Sequence, residues 1–254
     1  WVGKFETTGT IANITVKPNQ ASLRNQSVYN MFVNAYNYSR ENDSHMMKNT
    51  EWGAVAYLSH SKYGIGTEIN INNSDSYIRG SSSLLTLQQG TYPGTYGTGE
   101  DYYSPYNTEL GYLASTTGNI TGIYDMSGGA HEYMASYIGN NYGSSGFNST
   151  NIQNYDNKYF DVYLTSDVET SYENRILGDA TGEVGPFIYF ADGDGISRNH
   201  NRWYSDRTGF LSAILPWFRR GGSYNIGGSA GQFSFDSFSG TLNSSFSFRL
   251  VLAP

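Results

Sequence analysis

The sequence predicts a loop-rich α+β domain in which two main helices precede many short antiparallel strands. Helical periodicity of apolar residues occurs in two early segments, residues 22–39 and 50–63. The remainder consists of short strand-like stretches separated by clusters of Gly, Asn, Ser and Asp, as in residues 139–154 and 192–201. The sequence shows no internal repeat and no linker. We therefore expect one domain that spans residues 1–254.

The first helical segment carries one apolar stripe. Val28, Phe32 and Ala35 follow the i, i+4, i+7 spacing that places side chains on one face of a helix. This face is expected to pack against the core.

The second helical segment is predicted to be more deeply buried. Glu51 suits the positive end of this helix, and Gly64 fits its C-terminal end. The residues that share one face are Trp52, Val55, Ala56 and Ser59. Because the other sides hold Ala54, Tyr57 and Leu58, we expect the helix to be covered almost all round.

Composition excludes several partners and chemistries. A net charge of -7 with only 15 Lys and Arg residues disfavours nucleic acids and anionic membrane surfaces as partners. The absence of Cys excludes disulfides, thiolate metal sites and cysteine catalysis. No run of about 18 apolar residues occurs, so no membrane insertion is expected. Because the chain starts at Trp1 within a strand-like stretch, we expect an upstream signal, anchor or stalk.

Four motifs occur in order along the chain. They are MKNTEWGAVA at 47–56, GIYDMSGGAHEY at 122–133, RGGS at 220–223 and SFRLVL at 247–252. In this order they resemble the motifs of the formylglycine-generating-enzyme-like (sulfatase-modifying factor) family. The resemblance implies a C-type lectin fold in which the N-terminal strand around Phe5 lies beside residues 248–252.

The same family suggests enzymatic alternatives. Its cysteine-oxidising branch uses its own cysteines and copper, and this chain has no Cys. An iron-dependent branch uses histidine ligands, but the histidines here lack a paired spacing, and we interpret them as ordinary surface or edge residues. They are His45, His60, His131 and His200. We therefore expect no catalytic residue and no required cofactor.

The C-terminal fifth carries a narrower resemblance. Residues 216–222, 230–235 and 247–254 are similar to the variable region of diversity-generating retroelement proteins, in which fixed framework residues alternate with diversified ones. In that system adenine mutation of Asn codons never gives Lys, Glu, Gln, Met or Trp, and between residues 221 and 248 only Gln232 belongs to this set. The buried framework anchors are expected to be Trp217, Phe218, Phe233, Phe235, Phe248 and Val251.

The resemblance makes residues 203–254 the variable ligand-binding region. Tyr, Ser, Asn and Gly between the anchors are typical of antibody paratopes, in which Tyr gives a large rigid contact area and Ser or Asn adapts hydrogen bonds. The alternative is that these positions are solvated hairpin turns. The predicted binding face consists of Tyr204, Ile214, Leu215, Arg219, Ser223, Tyr224, Asn225, Ile226, Asp236, Phe238, Leu242 and Phe246.

The resemblance also implies a structural calcium site. Asp125 and Glu132 through their side chains, and Gly128 and Ala130 through their carbonyl groups, occupy positions that bind calcium in the family. Oxygen ligands of this kind suit calcium. Residues 192–195, Asp-Gly-Asp-Gly, lack the later bidentate Glu of an EF-hand, and we interpret them as a turn.

These observations predict a non-catalytic, hypervariable ligand-binding protein that acts in adhesion, receptor binding or phage tropism. It is expected outside the cell, on a bacterial surface or a phage tail, with a protein or glycan ligand. The alternatives are a carbohydrate lectin of fixed specificity and a formylglycine-like oxidoreductase, which the fold alone would allow.

Overall fold

The computed structural model describes residues 1–83, 103–139, 141–163, 188–191, 197–200, 203–209 and 211–254. Within these residues the helices are α1 (Val28–Asn37), α2 (Asn49–Ser59) and the short α3 (Glu109–Tyr112). The strands are β1 (Thr8–Thr10), β2 (Asn13–Thr15), β3 (His45–Met46), β4 (Ser82–Ser83), β5 (Tyr103–Ser104), β6 (His131–Ile138), β7 (Asp161–Tyr163), β8 (Ile188–Ala191), β9 (Ser197–His200), β10 (Arg207–Thr208), β11 (Trp217–Gly221), β12 (Gly231–Phe238), β13 (Phe246–Phe248) and β14 (Leu250–Val251). The predicted loop-rich α+β class with two main helices is confirmed.

Helix α1 is shorter than the predicted segment. Ser27 caps it by accepting a hydrogen bond from the Asn30 amide. Before that point the chain is extended, since the Leu23 amide donates to the Thr7 carbonyl. The predicted apolar stripe is confirmed, because Val28, Phe32 and Ala35 are all fully buried.

Helix α2 packs through one face only. The predicted inner face is buried, and Glu51 accepts a hydrogen bond from the Lys48 amide at 2.9 Å, which fixes the first turn. Ala54, Tyr57 and Leu58 are exposed, so the prediction that the helix is covered almost all round is wrong. Apolar character on the outer sides does not imply burial here, since Tyr57 contacts the Phe233 ring edge-on at 6.2 Å and still keeps about half of its surface exposed.

One mixed sheet organises the fold. The strand order is β13-β6-β11-β12-β10-β9-β8, and β7 also pairs with β6. Strands β13 and β7 pair with opposite ends of β6, at residues 131–133 and 136–138. The β13–β6, β6–β7 and β10–β12 pairs are parallel, so the expectation of antiparallel strands is wrong for these three pairs.

Apolar side chains fill the space on both faces of this sheet. On the α1 side, Trp217 packs with Phe32 and aromatic residues of neighbouring loops. On the α2 side, Phe218 and Phe235 pack with Trp52. Alternation along β11 sends neighbouring residues to opposite faces, as the period of a strand requires. All six predicted framework anchors are buried.

The two ends of the chain pair with each other, as predicted. The Gly3 amide donates to the Leu250 carbonyl at 2.8 Å, and the Thr7 amide donates to the Phe248 carbonyl at 3.0 Å. Val2 and Val251 form an antiparallel bridge. In the described part of the chain, none of the helices combines the length and apolar character needed to cross a bilayer.

Candidate functional site

The predicted binding residues differ in their accessibility. Ile214, Asn225 and Leu242 are exposed, and Tyr204, Leu215, Tyr224, Ile226 and Phe238 are half-buried. Arg219, Ser223, Asp236 and Phe246 are buried. A partner can therefore contact the first two groups directly, whereas the buried four can act only where a ligand reaches into the protein.

Four of the strands carry a row of charged and aromatic side chains on the α1 side of the sheet. Asp236 on β12 lies opposite Arg219 on β11, and its Oδ2 accepts from the Arg219 guanidinium at 2.5 Å. Arg207 on β10 contacts the same oxygen at 3.0 Å. On the far side of Arg219, the rings of Phe238 and Phe246 lie 5.0 and 4.8 Å from its guanidinium carbon.

This row is electrostatically unusual. Two guanidinium groups share one carboxylate oxygen, while Asp236 Oδ1 accepts from the Ser237 amide. The buried His131 lies near both arginines, and burial together with their positive charges holds its pKa well below the usual value. His131 is therefore neutral at physiological pH.

A second group of predicted residues surrounds the loop after β11. Gly221 and Gly222 both adopt positive φ, and a side chain at residue 222 would meet the Ala230 backbone. This turn presents Tyr224, whose amide donates to the Gly129 carbonyl and whose ring packs edge-on against Tyr77 at 5.0 Å. Ser223 is buried and bonds to the Asn225 side chain at 2.7 Å.

The two groups are adjacent. The Tyr77 hydroxyl bonds to Ser245 Oγ at 2.8 Å, and Ser245 precedes Phe246 in the row. The Ser245 carbonyl also accepts from the His131 amide at 2.9 Å. The Tyr224 loop and the arginine row thus form one neighbourhood, although their residues are separated along the chain.

Tyr204 lies elsewhere. It packs with the α2-side cluster, whereas Phe238 and Phe246 belong to the α1 side of the sheet. Its hydroxyl bonds to His60 Nε2 at 2.6 Å, and the exposed Trp203 stacks on the buried Phe233 at 5.0 Å. The structure therefore does not bring Tyr204 together with the other predicted aromatic residues.

Sequence reasoning missed three members of these groups and misplaced two histidines. Arg207, Tyr77 and His131 were not among the predicted binding residues, because only the tertiary structure places them beside Arg219 and Tyr224. The interpretation of the histidines as surface or edge residues is wrong for His45 and His131, which are buried. The side chain of residue 200 and the turn at 192–195 lie outside the described residues.

The predicted calcium residues belong to a buried charged cluster. The two Glu132 oxygens accept from Arg249 Nε at 3.0 Å and from a terminal nitrogen of Arg249 at 2.5 Å. Asp125 Oδ1 accepts from the Asn72 side chain and the Gly80 amide. Donors thus engage both oxygens of Glu132 and Oδ1 of Asp125, whereas Asp125 Oδ2 has no hydrogen-bond partner among the described residues.

A second ion pair completes this cluster. Arg79 pairs with Glu6, and its guanidinium lies 3.7 Å from Asp125. Three carboxyl groups therefore face two guanidinium groups, and all five side chains are buried. Burial raises the pKa of Glu6 to about 8, against the opposing charge of Arg79, and burial also raises the pKa of Glu132. Burial thus favours protonation within this group of three carboxyl and two guanidinium groups.

A calcium ion between Asp125 and Glu132 would find Asp125 Oδ2 without a hydrogen-bond partner among the described residues, but it would compete with Arg249 for Glu132. Calcium needs several free oxygen ligands, whereas Arg249 holds both oxygens of Glu132. Among the described residues, no group of three or more His, Asp or Glu side chains is placed to hold a metal ion.

We expect removal of calcium to leave thermal stability unchanged, because guanidinium groups already supply the positive charge. The measurement is the melting temperature of the purified protein in excess EDTA and in millimolar calcium. A melting temperature several degrees higher in calcium would contradict this expectation and would support the structural calcium site.

No model of a known protein family matches the chain. No curated protein is significantly similar to it either. The functional proposal for this chain therefore depends on the geometry of its described residues.

Proposed function

We propose that the chain is a non-catalytic, hypervariable ligand-binding protein with a C-type lectin fold of the formylglycine-generating-enzyme-like kind. The proposal places it outside the cell, on a bacterial surface or a phage tail, where it binds a protein or glycan in adhesion, receptor binding or tropism. Its ligand contacts come from residues 203–254, diversified by a retroelement on a fixed scaffold.

One observation carries this proposal. In the C-terminal region the framework anchors are buried without exception, while eight of the twelve proposed contact positions keep accessible surface. Along β11 and β12 and in the following loops, buried anchors thus stabilise the fold. The accessible contact positions between them can hold different residues without loss of the core. A protein diversified at these positions needs this separation, because most substitutions at exposed positions change stability little.

The neighbourhood of Tyr224 and the arginine row supports the location of the binding face. Tyr224, Ile226 and Phe238 are half-buried aromatic and aliphatic residues. Rigid aromatic side chains of this kind supply contact energy at low entropic cost. Ile214 and Leu242 are exposed apolar residues of the same region, at 79% and 55% of their full surface.

A carbohydrate lectin of fixed specificity is a second candidate, favoured by Trp203. Its indole ring is 38% exposed and stacks on Phe233. Adenine mutation of Asn codons cannot produce Trp. Trp203 would therefore be a fixed contact both in a hypervariable protein and in a lectin of fixed specificity. Loss of glycan binding on Trp203→Ala, with no effect of changes at Tyr224 or Phe238, would favour this candidate.

The scaffold is expected to tolerate diversification at its proposed contact positions. Ile214→Ser, Asn225→Tyr and Leu242→Asp should each change the free energy of unfolding by at most about 0.5 kcal/mol, since these side chains are exposed. Urea unfolding measures the effect, with the buried Phe218→Ser as a destabilised control. Losses above about 2 kcal/mol at the three exposed positions would overturn the proposed separation of scaffold and contact residues.

The retroelement itself is tested by the flanking DNA. The expected result is a nearby reverse-transcriptase gene and a template repeat that differs from the codons of residues 203–254 only at adenines. A locus without such a repeat removes the hypervariable function and leaves the fixed-specificity lectin.

A further inference from the structure

We propose that the arginine row of β10, β11 and β12 binds a carboxylate group of the ligand, with Arg219 as the principal contact. This inference rests on the proposed function, because it names the ligand chemistry of the same binding face. The ligand it implies is an organic acid whose flat apolar part lies against Phe238.

The first argument is the charge around Arg219. Its carboxylate partner, Asp236, is shared with Arg207 through one and the same oxygen. Whatever else Arg207 contacts, the single negative charge of Asp236 serves two cations. His131 is held neutral by burial and by the two guanidinium groups, so it adds no further positive charge. Arg219 therefore does not hold this carboxylate alone.

The second argument is an unsatisfied donor. Arg219 is nine-tenths buried, and its Nε has no hydrogen-bond acceptor among the described residues. Buried donors without acceptors are rare in folded proteins because they lose their hydration without compensation. An oxyanion beside Arg219 would accept from this nitrogen, and the planar guanidinium matches the two oxygens of a carboxylate.

The third argument is the apolar flank. The guanidinium of Arg219 lies next to the rings of Phe238 and Phe246 and also contacts the carboxylate of Asp236. Phe238 and Arg207 are half-buried rather than buried, so a ligand approaches from their side of the row. A carboxylate attached to a ring or a short apolar chain fits this combination better than a fully hydrated inorganic anion.

Benzoate is a suitable probe, since it joins one carboxylate to one flat ring. Benzamide has the same shape without the charge, benzylamine has the opposite charge, and inorganic phosphate has charge without a ring. Titration is followed by ligand-observed NMR at low salt and neutral pH. The full chain is expected to bind benzoate at least tenfold more tightly than each of the other three compounds.

Two substitutions in the row should move benzoate affinity in opposite directions. Arg219→Gln is expected to weaken binding at least tenfold. Asp236→Asn removes the competing carboxylate at nearly constant shape and should strengthen it severalfold. The control is Arg40→Gln, which removes another guanidinium that lies over an aromatic ring, that of Tyr36 at 3.5 Å, and should leave benzoate affinity unchanged.

Melting curves verify that each variant is folded. If Arg219→Gln is unfolded, the benzoate affinity of Asp236→Asn alone tests the carboxylate site. Equal affinity for benzoate and benzamide, tighter binding of phosphate, or weaker binding to Asp236→Asn would each overturn the carboxylate site. Because the flanking DNA and the tolerance of exposed positions test the proposed function separately, a carboxylate site without a template repeat would assign this chemistry to a protein of fixed specificity.

Discussion

Arg249→Met is expected to lower the free energy of unfolding by about 3 to 5 kcal/mol. The Arg249 guanidinium donates twice to Glu132 and also to the carbonyl groups of Gly3 and Tyr124, and both charged side chains are fully buried. Methionine fills similar space but leaves the Glu132 carboxylate buried without its partner, and an uncompensated buried charge is strongly destabilising. Urea unfolding at pH 7 measures the loss.

Adding Glu132→Gln to Arg249→Met should recover part of this loss, since the second change removes the stranded charge. A single variant as stable as the wild type, or a double variant less stable than the single one, would show that the pair does not carry this energy.

Glu6→Gln is the matched control within the same cluster. The raised pKa of Glu6, about 8 against a usual 4.5, means that the native chain binds more protons than the unfolded chain between these two values. The stability contributed by this proton is present at low pH and is lost as the pH rises from about 4.5 to 8. A neutral Gln mimics the protonated group, so Glu6→Gln should flatten this part of the pH dependence and cost far less than Arg249→Met.

Trp217→Ala should have an effect of similar size, about 3 to 5 kcal/mol, for a different reason. The indole is fully buried, stacks with Tyr137 at 4.9 Å and Phe147 at 5.6 Å, and donates to the Tyr142 carbonyl. Truncation leaves a cavity on the α1 side of the sheet and an unpaired carbonyl. Chemical denaturation of the purified variant measures the loss.

Trp203→Ala makes the same substitution at a partly exposed tryptophan. Its main loss is the stacking contact with Phe233, about 1 kcal/mol. If the two variants were equally destabilised, burial of the framework anchor could not be the cause, and the fixed scaffold of the proposed function would lose its energetic basis.

The amino-acid sequence determined the local elements and their buried faces. The spacing of Val28, Phe32 and Ala35 predicts the inner face of α1, and the aromatic anchors of the C-terminal region are buried as predicted. Such patterns succeed because the periods of helices and strands fix which side chains share a face. The outer face of α2 shows the limit, since Tyr57 and Leu58 are apolar but exposed.

Only the tertiary structure decided which distant residues meet. Arg207 and Arg219 share Asp236, Arg79 pairs with Glu6, and His131 lies between strands that are far apart in sequence. These contacts depend on strand order, on register and on three parallel pairings, none of which the spacing of residues along the chain specifies. The pKa of a carboxyl or imidazole group in turn depends on burial and on neighbouring charges, so the electrostatics of the site followed from the packing of the chain and not from its local patterns.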